Sequence, residues 1–231
     1  MFGLHDADFT ILALSLRVAA VSALASLPVA IAVAYVLART KFPGKTAFDA
    51  VIHLPLVLPP VVIGFALLLL LGKQGLLGRA LYDWFGFSFA FRWTGAALAS
   101  AIMGFPLMVR SIRLAMSAID TRLEAAARTL GAGRARVFLT VTLPLALPGI
   151  ITGTLLSFAR SLGEFGATIT FVSNIPGETQ TIPLAIYTAT QSVAGDSEAL
   201  RLSVIAVLLS LLALAASEWL TRKSRRAAGA S

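Results

Sequence analysis

The run Ile11-Leu12-Ala13-Leu14-Ser15-Leu16-Arg17-Val18-Ala19-Ala20-Val21-Ser22-Ala23-Leu24-Ala25-Ser26-Leu27-Pro28-Val29-Ala30-Ile31-Ala32-Val33-Ala34-Tyr35-Val36-Leu37 carries a single charge, Arg17. The hydrocarbon core of a bilayer is about 30 Å thick and an α-helix rises about 1.5 Å per residue, so about 20 apolar residues cross it. The run is longer than that, and longer than the roughly 7–15-residue core of a cleaved signal peptide. Before it stand His5, Asp6 and Asp8 with no Lys or Arg; after it stand Arg39, Lys41 and Lys45. A signal peptide needs the opposite polarity. The run therefore reads as a first span, about 11–37, with its amino end outside and its basic end in the cytoplasm.

The rest of the chain agrees. Of 231 residues, 58% are hydrophobic and 13% charged, whereas soluble domains are about 25% charged. This excludes a soluble enzyme and a disordered chain. The net charge of +8 sits in short runs between apolar blocks, which reads as membrane orientation and not as a nucleic-acid surface. The absence of cysteine excludes disulfides, thiolate metal sites and cysteine nucleophiles. Two histidines, His5 and His53, are too few for a histidine-rich metal site, so no metal or resident cofactor is expected.

Four further spans follow, at about 50–72, 94–112, 139–163 and 202–220. Gly104 and Pro106 predict a kink in the third. Pro144, Pro148 and Gly149 lie in the fourth. Such prolines suit a packed, moving bundle, where neighbours satisfy the freed carbonyls. With the amino end outside, the inner segments carry Arg39, Lys41, Lys45, Arg110, Arg113, Arg122, Arg128, Arg134, Arg136, Arg222, Lys223, Arg225 and Arg226. The outer ones carry only Lys73, Arg79, Arg92 and Arg201. This bias supports five spans, an outside amino terminus and a cytoplasmic carboxyl terminus. Residues 164–200 read as outside or re-entrant, with a short helix opening near Pro183. No repeat or linker divides the chain, so 1–231 is expected to form one all-α transmembrane domain.

The inner loop, 113–138, is the most informative connection. Thr121-Arg122-Leu123-Glu124 has the spacing of a capping box. Leu123, Ala126, Ala127 and Leu130 follow at i, i+3, i+4 and i+7, one apolar stripe on a short helix. Gly131 then ends it as a left-handed cap. Such a helix either lies on the lipid surface or offers a small-residue face to a partner.

Ala125-Ala126-Ala127-Arg128-Thr129-Leu130-Gly131, followed by Leu143-Pro144, resembles the EAA loop of ABC importer permeases. In that family a Glu-Ala-Ala triplet precedes a glycine, with Leu-Pro at a fixed distance. Ala126, Ala127, Gly131, Leu143 and Pro144 match by position. The family's glutamate falls on Ala125, while the carboxylate here is Glu124, about 100° away around a helix. Leu54 to Val62, Ser161 to Thr168 and Asn174 to Gln180 resemble the oxyanion branch. Ile182 to Ala189 and Ser217-Glu218-Trp219-Leu220 resemble the molybdate permeases, with the sulfate/thiosulfate permeases as nearest alternative. The resemblance implies a type I importer bundle in the bacterial inner membrane, working as a homodimer. It implies a coupling helix, carrying Glu124, Ala126, Ala127 and Gly131, seated on an ATP-hydrolysing subunit present in two copies. It also implies a periplasmic binding protein that delivers molybdate or tungstate. ATP and Mg are expected on the partner alone, with no catalytic residue in this chain.

Other features have plainer readings. Gly44-Lys45-Thr46 ends like a phosphate-binding loop, but the pattern requires glycine where Arg39 stands. Arg160 and Glu164, four apart at the outer end of the fourth span, read either as mutual neutralisation or as an outer gate. In the second case Ser161, Gly163, Gly166 and Thr168 would offer hydroxyls and close backbone approach to an oxyanion. Arg17 reads as snorkelling or a subunit contact, His53 as interfacial. Trp84, Trp93 and Trp219 suit an aromatic belt, and Gly149-x-x-x-Gly153 close packing of two spans. An intramembrane enzyme would need paired catalytic groups within the spans, where only Glu164 is found. A channel or anchor without energy coupling leaves the inner helix without purpose.

Overall fold

The computed structural model describes residues 6–192 and 195–227; beyond Ala216 only the side chain of Trp219 is described. The readings that concern His5, Ser217, Glu218, Leu220 and the basic side chains Arg222 to Arg226 lie outside the described residues. Those residues form helices and no strand. In order they are α1 (Asp6–Arg39), α2 (Lys45–Val57), α3 (Pro60–Leu71), α4 (Gly78–Phe85), α5 (Trp93–Ala118) and α6 (Thr121–Thr129). Then come α7 (Arg134–Val137), a π-turn (Phe138–Thr142), α8 (Leu143–Leu162), α9 (Gly166–Val172), α10 (Ile182–Thr190) and α11 (Asp196–Ala227).

Four stretches are long and apolar enough to cross a membrane: Ala7–Arg39, Trp93–Ala118, Arg134–Leu162 and Asp196–Ala216. The second expected span, 50–72, is not straight. It is the pair α2 and α3, bent by 110°. The cause is Leu58-Pro59-Pro60. Neither proline can donate a helical hydrogen bond, and each forces the residue before it out of the α region. Leu58 (ψ 142°) and Pro59 (ψ 132°) are accordingly extended. Hydropathy registers the apolar length but not the turn. In contrast, α5 runs unbroken through Gly104 and Pro106.

At the centre, α1, α5 and α8 pack together around Ala23, Ala30, Met108, Val109, Ile112 and Met116. Lipid tails are as apolar as these side chains, so close packing, not escape from water, holds the helices together. The backbones approach closely because small residues face each other. A Cβ on Gly104 would lie 2.4 Å from Ser157 Oγ, and one on Gly149 2.2 Å from Ala115 Cβ. The expected Gly149–Gly153 packing motif is thus the α5–α8 contact within this chain.

The described residues of 164–192 form no span, and the last span begins at Asp196, earlier than the expected start at about 202. The short helices α9 and α10 are both largely buried, with Pro183 in the first turn of α10 as expected. Gly64 of α3 lets α9 close in, since a Cβ there would lie 2.5 Å from the Ala167 carbonyl. Three polar ties pin other elements to α1. Ser15 Oγ accepts from Ile182 N–H (2.8 Å), Ser22 Oγ donates to Ser161 Oγ (2.8 Å), and Asp8 pairs with Arg201 (3.1 Å).

Candidate functional site

The short helix expected in the inner loop is α6. Its cap is one residue earlier than the capping-box spacing suggests. Asp120 is extended and its carboxylate accepts from Arg122 N–H (2.9 Å), so Thr121 is already helical. At the other end Ala132 N–H donates to the Ala127 carbonyl (3.1 Å) and Gly131 N–H to that of Arg128 (3.0 Å). This is a Schellman motif, and Gly131 adopts φ +83° as its position requires.

Glu124 is therefore free of capping duty, and it points inward, 6% exposed. Its Oε1 accepts from Arg39 Nε (3.0 Å) and from Thr142 Oγ1 (2.9 Å). Arg39 Nη2 lies 2.9 Å from the same oxygen. One carboxylate oxygen thus joins the end of α1, the short helix and the start of α8. Nothing local in the sequence reveals this, because Arg39 and Thr142 lie 85 and 18 residues away. Ala125, at the position of the family's glutamate, is exposed. It lines a cleft of about 860 Å³ between α1, α6 and α7, together with Tyr35, Arg39, Arg128, Arg134 and Phe138.

The π-turn explains the Leu143-Pro144 pair. Pro144 cannot donate to the Thr140 carbonyl, and its ring crowds that group. The backbone widens instead, with Leu143 N–H donating to the Phe138 carbonyl five residues back. Such wide turns rotate the residues within them relative to the helix that follows. Thr142, inside this one, is brought onto Glu124.

The remaining face of α6 is unpartnered among the described residues. Leu130 is 89% exposed and Leu123 50%; Ala126 is exposed and Ala127 half-buried. The expected apolar stripe exists, but points away from the bundle.

The outer candidates are brought together. Arg160 and Glu164 pair at 2.7 Å, their side chains 29% and 1% exposed, and Glu164 Oε1 also accepts from Ala167 N–H (2.9 Å). The carboxylate thus neutralises Arg160 and holds the start of α9. The nearby hydroxyls are committed to the protein. Ser161 donates to the Ser157 carbonyl (2.8 Å) and Thr168 to that of Phe165 (2.8 Å), so neither donor is left for an oxyanion. Gly166 packs on Pro60, while Gly163 has open space where a side chain would be. The other singled-out residues have internal partners. Arg17 stacks 3.8 Å from the centre of the Trp93 ring, and His53 Nδ1 is 2.9 Å from the Asp49 carbonyl.

The described residues thus form an all-α bundle with a bent apolar pair, a short helix pinned through Glu124 and a Leu-Pro π-turn. Residues 26–226 match the family described as binding-protein-dependent transport system inner membrane component. The chain belongs to that family. It is 60% identical over 226 residues to the molybdenum transport system permease protein ModB of Escherichia coli (strain K12), covering 98% of this chain and 99% of that one. It is 58% identical to ModB of Haemophilus influenzae over 94% of each chain. Among solved structures it superposes with a TM-score of 0.74 on a chain of a bacterial alginate ABC transporter in complex with an alginate-pentasaccharide-bound periplasmic protein. The identity there is 17%, and the match covers 95% of this chain and 80% of that chain. The fold is thus that of a type I ABC importer permease, a multi-pass protein of the inner membrane.

Proposed function

We propose that this chain is the permease subunit of a molybdate importer. Two copies form the path. Two copies of a partner ATPase hydrolyse ATP with Mg, and a periplasmic binding protein delivers the anion. The observation that carries the reading is the short helix α6. Its apolar stripe faces outward, while its buried carboxylate Glu124 is fixed to both α1 and α8. A helix lying on lipid needs no such internal anchor. A helix that transmits movement does, because a push on Leu123, Ala126, Ala127, Leu130 and Gly131 reaches the spans through Glu124, Arg39 and Thr142. The ModB relatives, named as molybdenum permeases along nearly their whole length, support the substrate.

In this reading the α6 end is cytoplasmic, the amino terminus is outside and 1–231 works as one transmembrane domain. No resident cofactor is assigned to this chain. The pair Arg160–Glu164 and the exposed Gly163 belong to the outer gate by position, with Ser161 and Thr168 in supporting structural roles.

The test is ATPase activity of the chain reconstituted in lipid with its candidate ATPase. The binding protein is added empty, molybdate-loaded and sulfate-loaded. Stimulation by the molybdate-loaded form alone is expected. Equal stimulation by sulfate would overturn the substrate, and failure of any ATPase to co-purify with the folded chain would overturn the importer.

A further inference from the structure

A second polar cleft, of about 400 Å³, opens between α2 and α5 at the α6 end of the bundle. It is lined by Asp49, His53, Arg110, Arg113, Leu114 and Ser117. Asp49 and His53 precede the other four by more than 50 residues, and only the packing of α2 on α5 gathers the two sets. Asp49 Oδ1 accepts from Arg113 Nη1 (2.8 Å) and lies 3.3 Å from His53 Nδ1. This carboxylate fixes the Arg113 guanidinium and neutralises its charge. Arg110 is exposed and has no ion-pair or hydrogen-bond partner among the described residues. The cleft therefore carries one uncompensated positive charge beside one oriented guanidinium.

We infer that this cleft is a binding site for a tetrahedral oxyanion of the phosphate type, with Arg110 as primary ligand and Arg113 as the oriented second. A guanidinium presents paired N–H donors that match two oxygens of such a group. The depth fits. Arg110 and Arg113 lie about 26 and 30 Å by helical rise from Trp93, the first residue of α5, which is one hydrocarbon thickness along that span. That is headgroup level, where basic pockets between spans hold anionic lipid. It is also the level at which a transported oxyanion would leave the membrane. The same chemistry has two sources: the phosphodiester of an anionic phospholipid, or free molybdate. The site stands without the transport reading, since its lipid form needs no ATPase.

The experiment uses the full chain in nanodiscs of phosphatidylcholine alone or with phosphatidylglycerol. Native mass spectrometry counts retained phosphatidylglycerol, and labelled molybdate is titrated into the phosphatidylcholine discs. Wild type and R110Q are compared. Arg110 has no internal partner, so R110Q is expected to fold, which its melting temperature checks; R113Q, which frees Asp49, is the second variant. At least a tenfold loss in R110Q of phosphatidylglycerol retention, or of molybdate binding, supports the site, and the ligand that is lost identifies the source. Equal retention of phosphatidylglycerol together with unchanged or absent molybdate binding in wild type and R110Q overturns it. Failure of the importer reading would appear separately, in the ATPase assay.

Discussion

Glu124 and Gly131 illustrate two degrees of legibility at the scale of single residues. Gly131 could be read directly, because a glycine after the last position of a helical stripe has one common use. The partners of Glu124 could not, because a buried ion pair across 85 residues leaves no periodic trace. Even the cap was one residue off, since Asp120 and Thr121 are both competent and only the backbone decides. Two predictions belong here. Glu124→Gln leaves the Arg39 guanidinium buried without its charge partner, and removing one member of a buried pair costs about 3 kcal/mol. The variant should melt earlier by differential scanning fluorimetry, and binding-protein-stimulated transport should fall further than ATPase activity. Gly131→Ala places a Cβ in the left-handed region, at a cost of about 1–2 kcal/mol. With nothing within 4 Å of that Cβ, the loss should stay local, measured as faster amide exchange in the last turn of α6 with the global melting point nearly unchanged.

At the scale of elements, length and apolarity identified four continuous spans and the apolar content of the bent fifth. The bend between α2 and α3 was hidden because hydropathy carries no direction, although Pro59-Pro60 supplied its cause. The π-turn was hidden similarly: Pro144 marked a break, but whether a helix kinks, ends or widens depends on its neighbours. Replacing Pro144 by alanine restores a donor to the Thr140 carbonyl. The turn should then tighten toward α-helix and rotate Thr142 away from Glu124. The expected outcome is an assembled complex with basal ATPase activity and weakened response to the loaded binding protein. The α5–α8 contact offers a sharper test. Gly149→Val should lower the yield of folded chain severely, because even a Cβ meets Ala115 at 2.2 Å. Gly163→Ala, with nothing within 4 Å, should be neutral by thermal unfolding in detergent.

For the molecule as a whole, the charge bias could be read as topology, and the absence of native cysteine makes it measurable. Single cysteines at Gly86 and Ser192 should react with an impermeant maleimide from one side of the membrane, and one at Ala132 only from the other. Labelling of Gly86 and Ala132 from the same side would break the orientation. The short helix α9 could not have been placed this way, since it is too short to leave a hydropathy signature, whereas the opening of α10 was legible from Pro183. A last consequence concerns life before assembly. The stripe of α6 leaves Leu123 and Leu130 exposed; on the proposed topology it lies outside the bilayer, where an unassembled subunit has nothing to cover it, and exposed apolar patches invite aggregation or degradation. The helix should therefore mark orphan subunits for membrane proteases. Pulse-chase of the chain made without its ATPase should give a short half-life that co-expression lengthens, and Leu130→Ser should lengthen it without any partner. Cellular abundance of the permease would then be set by the supply of its ATPase.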